Sequence, residues 1–157
     1  MKHSVHFSSS SNEWETPEKL FNQLNDQWGF TLDPCATDNN AKCCKFYTKV
    51  DDGLSKSWEG EIVFMNPPFG REIGSWVKKA YMESMHNGAI VVCLIPARTD
   101  TAYWHDYIFG IEFVDITFLR GRIQFERHSN MVATSAPFPS AIIVFNGKLK
   151  DAAATAV

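Results

Sequence analysis

The side chains with the most chemical potential stand at residues 66–69, Asn-Pro-Pro-Phe, directly after the apolar run Ile62, Val63, Phe64 and Met65. Proline has no amide donor, so two prolines cannot continue a sheet ladder, and the strand must end there. Asn66 then offers a carbonyl acceptor and an amide donor, Pro67 a carbonyl without an N–H, and Phe69 a flat apolar face. Such a set fits a planar ring with an exocyclic amine: two acceptors take the two N–H bonds and the aromatic stacks on the ring. An amine like that of adenine is a weak nucleophile because its lone pair is spread into the ring. Holding both hydrogens on acceptors favours a pyramidal nitrogen and frees the lone pair. Against a sulfonium methyl group no strong base is needed, only in-line placement and preorganised dipoles. Asn and Pro are also ordinary turn formers, so the tetrapeptide alone reads equally well as a strand-to-loop turn.

The elements that position it follow from periodicity. Thr16-Pro17-Glu18 reads as a helix start, with Thr16 as N-cap and Pro17 in the first turn. Leu20, Phe21, Leu24 and Trp28 share one helical face, and Gly29 is the stop. Short strands are predicted at 30–34, ending in the acid Asp33, at 44–48 and at 61–66, with a turn and a brief helix between the first two. A helix begins at Glu72 and buries Ile73, Trp76, Val77, Ala80 and Tyr81. Residues 89–96 form a wholly apolar strand, Thr99 or Asp100 caps a helix running to Phe109, and further strands lie at 112–119, 122–125 and 141–145. Apolar strands alternating with amphipathic helices predict an α/β fold with a parallel sheet covered on both faces. The last strands follow one another too closely for helical crossovers, so at least one of them is antiparallel. Open sheets bind ligands at the carboxyl ends of their strands, where Asp33 and Asn66 both fall.

The 157 residues suit one domain, predicted over 13–147, with a polar, serine-rich tail at 1–12 and a fraying tail at 148–157. No apolar run approaches the roughly 18 residues of a membrane span. The first residues, MKHSVHFSSSS, lack the hydrophobic core of a secretory signal, which predicts an intracellular protein with no membrane partner. Cys35, Cys43, Cys44 and Cys93 contain no C-x-x-C pair and read as free, buried thiols; no metal site is assigned. His105 and Asp106 are neighbours on a helix and do not face each other, so they form no acid–base pair. Neither a Gly-x-Ser-x-Gly nor a P-loop pattern is present. A net charge of −3 is a poor match to a protein that coats nucleic acid, yet a local basic face remains. Arg98, Arg120, Arg122, Gln124 and Arg127 are the candidates for DNA contacts, with Arg122 and Gln124 on one face of a short strand.

Taken in order, WETPEKLF, LDPCATDNNAKC, DGLSKSW, NPPFG, WVKKA, LIPARTDTAYWH, GRIQF and APFPSAIIVF resemble the small DNA N6-adenine methyltransferases related to Dam, a group common in phages and prophages. The match runs from about Trp14 to Phe145. The resemblance implies a single-domain class I methyltransferase: Rossmann-like, with a mostly parallel seven-stranded sheet and one antiparallel strand. It implies S-adenosylmethionine as cofactor and double-stranded DNA as partner. By it Asn66 and Pro67, within a motif that includes Pro68, bind the target amine, and Phe69 stacks on a flipped adenine. Flipping also follows from geometry, since the amine of a paired adenine lies inside the duplex. Trp14, Thr16 and Pro17 resemble the segment that closes over the donor; Asp33, Pro34, Cys35 and Ala36 resemble its methionine-end loop. Asp52 resembles the acid at the donor's adenine ring, with Gly53 and Leu54 beside it, and Asn66 borders the same pocket.

Two features depart from the pattern. The loop at 32–42 has no glycine, so Ala36 and the left-hand-tolerant Asn39 and Asn40 are expected to substitute. The segment between the motifs is short, leaving Asp38 as either a ribose-binding acid or an exposed turn residue. Other readings stay open at this point: methylation of a protein glutamine or an RNA base, and a non-catalytic DNA-binding module on a degenerate methyltransferase fold. The expected setting is the cytoplasm of a bacterial host, as monomer or homodimer.

Overall fold

The computed structural model describes residues 14–125 and 134–148. Its strands are β1 (Leu32–Asp33), β2 (Lys45–Phe46), β3 (Ile62–Met65), β4 (Ile90–Pro96), β5 (Val114–Phe118), β6 (Gln124–Phe125), β7 (Thr134–Ser135) and β8 (Ser140–Asn146). The helices are α1 (Glu18–Trp28), α2 (Ile73–His86) and α3 (Ala102–Tyr107). Six strands form one sheet in the order β2-β1-β3-β4-β8-β5, while β6 and β7 pair as a separate antiparallel ribbon. The pairs β2–β1, β1–β3 and β3–β4 are parallel; β8 runs antiparallel between β4 and β5. The expected mixed sheet is therefore present, with β8 as the reversed strand. Among the described residues it has six strands where seven were expected. Residues 47–61 are used up in the crossover from β2 past β1 to β3, which leaves no chain for another strand.

Side-chain alternation on β3 assigns its two faces. Phe64 meets Phe21 of α1 at 5.1 Å between ring centroids and Phe30 at 5.4 Å. Val63 and Met65 belong instead to the core with Ile73, Trp76, Val77 and Ala80 of α2. Gly29 ends α1 in the left-handed region, φ 65°, and returns its N–H to Asn25 O. Local capping chemistry was less legible. Pro17, not Thr16, is the N-cap of α1, and it carries no side-chain cap bond. The short helix α3 follows Thr101 instead of Thr99 or Asp100, and the Thr101 hydroxyl turns back to Arg98 O at 2.7 Å. No helix forms between β1 and β2; the chain turns there.

The loop after β2 is pinned from α2. Buried Glu83 accepts the Trp58 amide at 3.0 Å and the Asn87 side chain at 2.9 Å, and pairs with Lys79. Trp58 in turn donates its indole N–H to Gly53 O at 3.0 Å and stacks on Trp76, 6.3 Å between centroids. Burial opposes the charge on Glu83, yet the bonds from Lys79, Asn87 and Trp58 together hold its carboxyl below the usual glutamate range. Glu83→Ala leaves the Trp58 amide buried without an acceptor. We expect it to lower the unfolding free energy by about 1–3 kcal/mol, read by urea denaturation.

Candidate active site

Because β1, β3, β4 and β5 run the same way, their carboxyl ends meet at one edge of the sheet, and β8 starts from that edge with Ser140 opposite Pro96. A cavity of about 480 Å³ opens there, within the range of roughly 300–1,000 Å³ for small-molecule sites. Its wall is built from Trp14 and Thr16 of the N-terminal segment, Asp33, Pro34, Cys35 and Ala36 after β1, Asp52, Gly53 and Leu54 of the pinned loop, and Asn66, Pro67 and Pro68 after β3.

Asn66 is held in one orientation. Its side-chain nitrogen donates to Trp14 O and, at 3.0 Å, to Thr16 Oγ1. A backbone carbonyl can only accept, so the amide cannot be flipped without facing two oxygens. Both donors are consumed, and Oδ1 is left buried with no hydrogen-bond partner among the described residues. A buried acceptor without a donor costs about 1–3 kcal/mol, and this one borders the cavity, in reach of a donor placed there. Thr16, 2 % exposed, is thus an acceptor for Asn66, not a helix cap.

Asp33 is the buried acid at the end of β1. Its two carboxylate oxygens accept the amides of Cys35, at 3.2 Å, and Lys42, at 3.0 Å. Burial raises its pKa to about 6, against those two bonds and the Lys42 charge, which pull the other way. These bonds close the glycine-free loop. Among the described non-glycine residues only Asp52 has a positive φ, so Asn39 and Asn40 do not use left-handed backbone as expected. Burial, then the Asp33 charge, pushes the Cys35 thiol far above its ordinary value; it is a neutral wall, not a nucleophile.

The two loops touch at Gly53, where any Cβ would run into the Pro34 carbonyl oxygen. This contact explains a glycine after Asp52, whose own φ of 55° is costly for a side-chain-bearing residue but tolerated by aspartate. Asp52 therefore faces the cavity on a backbone held from both sides.

Other expected site residues lie elsewhere. Phe69 does not line the cavity; it is 5 % exposed and packs edge-on against Phe125 and Phe138, at 6.1 and 5.4 Å. Trp14 meets the same two rings. Pro17, Arg120, Arg122 and Gln124 line a separate shallow groove, and Arg98 sits over the Phe138 ring at 5.6 Å. Arg127 lies outside the described residues. Asp38 is exposed and is not among the residues that line the cavity. Cys93 is buried as expected, whereas Cys44 is exposed. Sequence reasoning missed Thr37, Asn40, Lys42 and Thr48 as cavity residues. The Asn40 side chain accepts the Thr37 amide at 2.6 Å, a turn signature readable from the two residue types at that spacing.

A mostly parallel sheet with one reversed inner strand, and a ligand-sized cavity at its carboxyl edge, defines a single-domain α/β protein of the methyltransferase fold. The family model described as DNA N-6-adenine-methyltransferase (Dam) matches residues 3–156, and the chain belongs to that family. It is similar to a DNA N-6-adenine-methyltransferase of Escherichia phage T1, 34% identical over 93 residues, covering 58% of this chain and 38% of that one. A second similar protein is the DNA N-6-adenine-methyltransferase of Haemophilus phage HP1, 28% identical over 88 residues, covering 55% and 51%. A third is the putative methyltransferase YfdM of Escherichia coli K12, 34% identical over 64 residues, covering 36% and 70%. The match thus spans between about two fifths and half of the length of the two phage relatives. No helix among the described residues is long and apolar enough to cross a membrane.

Asp33 gives a pH test of the site. Its folded pKa of about 6 lies above the unfolded value near 3.9. The folded state therefore binds the proton more tightly, and this contribution to stability is complete below about pH 4 and lost as pH rises through about 6. We expect a carboxyl NMR titration midpoint near 6, and wild type losing stability relative to Asp33→Asn across that window. A midpoint at or below 4 contradicts it.

Proposed function

We propose that this protein transfers a methyl group from S-adenosylmethionine to N6 of an adenine flipped out of double-stranded DNA. The observation that carries this reading is the buried, unpartnered Oδ1 of Asn66, fixed in place by the bonds from its own amide to Trp14 and Thr16. Beside it Pro67 contributes a carbonyl that no described residue engages. Two acceptors at a strand end suit the two hydrogens of an exocyclic amine. Family membership and the similarity to the two phage DNA N-6-adenine-methyltransferases point the same way.

The residues present fit the donor. Asp33 places a carboxylate in the cavity wall for a ligand that carries positive charge, while Asp52 and Leu54 supply acid and apolar surface for its nucleoside end. When bound, the donor supplies an electrophilic methyl group. The protein's part is placement: Asn66 and Pro67 hold the amine hydrogens, Trp14 and Thr16 hold Asn66, and the enclosing loops exclude water. Phe69 stacks on the adenine once the Phe125 and Phe138 rings, packed against it at 6.1 and 5.4 Å, part from it. Arg98, Arg120, Arg122, Gln124 and Arg127 are the DNA-contacting set, and the setting is the cytoplasm of a bacterial host.

The direct test is incubation with labelled S-adenosylmethionine and unmodified duplex DNA, followed by nucleoside mass analysis. N6-methyladenine is expected. Donor binding with product only on RNA or on protein amides redirects the reading to those substrates; no donor binding leaves a non-catalytic DNA-binding module. Asn66→Ala should keep the fold and lose on the order of 10²–10³-fold in kcat, the usual loss for one preorganised polar group; near-normal turnover removes Asn66 from the mechanism. Phe69→Ala should weaken adenine capture by about 1–3 kcal/mol per folded molecule. Unchanged affinity with lowered thermal stability would make Phe69 a packing residue alone.

A further inference from the structure

Apart from the cavity, a shallow groove lies between α1 and the chain that leaves β5. Lys19 and Gln23 of α1 are four residues apart and share a helical face. Arg120 and Arg122 face them from either side of Gly121, whose φ of 76° makes the turn. All four side chains are exposed. The groove thus collects three cations, and no acid is among its lining residues. Among the described residues none of the three is in an ion pair. The acid beside Lys19, Glu18, pairs with Lys42 at 3.0 Å, and Lys42 belongs to the cavity side of the helix. On a chain of net charge −3 this is a local reversal of sign. Such a reversal, open and lined by guanidinium groups, is complementary to a polyanion and to phosphate in particular.

The groove is also continuous with the reaction site. Pro17 lines it, and the preceding residue, Thr16, lines the cavity and accepts from Asn66. Across the groove Gln124 belongs to the same short strand as Phe125, which packs on Phe69 and Trp14. One wall therefore continues into Thr16, which accepts from Asn66, and the other into Phe125, which packs on Trp14, the second acceptor of Asn66.

We propose that this groove carries the phosphate backbone of the DNA strand next to the target adenine, with Lys19, Arg120 and Arg122 as phosphate contacts. Lys19 and Gln23 are thereby added to the DNA-facing surface, and α1 becomes a substrate-docking element that directly follows the cavity-lining residues Trp14 and Thr16. The assignment rests on DNA being the substrate. It explains how a chain of this size engages duplex DNA without a general basic surface: a few cations are gathered where the base is to be extracted.

The test is duplex binding by fluorescence anisotropy over a salt series, using the full chain, Lys19→Ala, Arg120→Ala and Arg122→Ala. Lys78→Ala, on the exposed face of α2, serves as control. Each groove variant is expected to weaken binding uniformly across DNA sequences and to reduce the slope of log K against log salt by about one. Donor binding without DNA checks that each variant is folded. If wild type methylates DNA and the three variants keep its affinity and slope, the groove assignment falls while the proposed reaction stands. If wild type neither binds nor methylates duplex DNA, both fall. If the variants lose affinity for RNA but not for DNA, the groove belongs to RNA and the proposal is overturned.

Discussion

An asparagine side chain has two donor hydrogens on nitrogen and one oxygen that accepts, and the partners chosen for the first decide the direction of the second. At the end of β3 the nitrogen of Asn66 is taken by Trp14 O and Thr16 Oγ1. The oxygen is thereby committed to a position where no described residue donates to it. Most of the local architecture serves this commitment. Pro67 and Pro68 stop the strand immediately beyond Asn66. The N-terminal segment must cross the sheet edge to supply the two acceptors, and in crossing it becomes a wall of the cavity. In the proposed reaction a ligand offsets the cost of the unsatisfied group, and an acceptor in a fixed direction is more specific than a flexible one.

Parallel strand direction is what makes the site compact. Asp33, Asn66 and the chain after β4 and β5 emerge at one edge only because those strands run together. Insertion of β8 in the opposite sense, between β4 and β5, returns Phe138 to that edge, where it meets Trp14, Phe69 and Arg98. Reversing β8 would carry Phe138 to the far side, away from Trp14 and Phe69. The antiparallel strand therefore has a role in the site as well as in the sheet.

The sequence was most readable where a residue's role is set by its neighbours in the chain. The apolar run ending in two prolines located Asn66, and an acid after the short strand located Asp33; both line the cavity. It was least readable where a side chain has both a local and a distant option. Thr16 precedes a helix and has the chemistry of an N-cap, yet its hydroxyl is used fifty residues away, by Asn66. Phe69 has the shape of a stacking platform, yet two aromatic neighbours from a distant segment, Phe125 and Phe138, join it to a cluster with Trp14. The groove of Lys19, Arg120 and Arg122 joins segments a hundred residues apart, so no window of sequence displays it. The glycine-free loop was expected to need left-handed backbone; Asp33 replaces that need by gathering two amides instead.

Trp14 stands at the crossing of these parts. Its carbonyl fixes Asn66, its ring packs on Phe125 and Phe138, and the residue lines the donor cavity. Phe125 and Phe138 are also the rings that cover Phe69. In the proposed reaction, a ligand that tightens the hold on Trp14 therefore acts at once on the Asn66 acceptor and on the rings that cover Phe69. Linkage makes this reciprocal: by whatever factor the donor changes the affinity for DNA, DNA changes the affinity for the donor. The two proposed binding events share a residue, and independence between them would require Trp14 to keep the same contacts in every state.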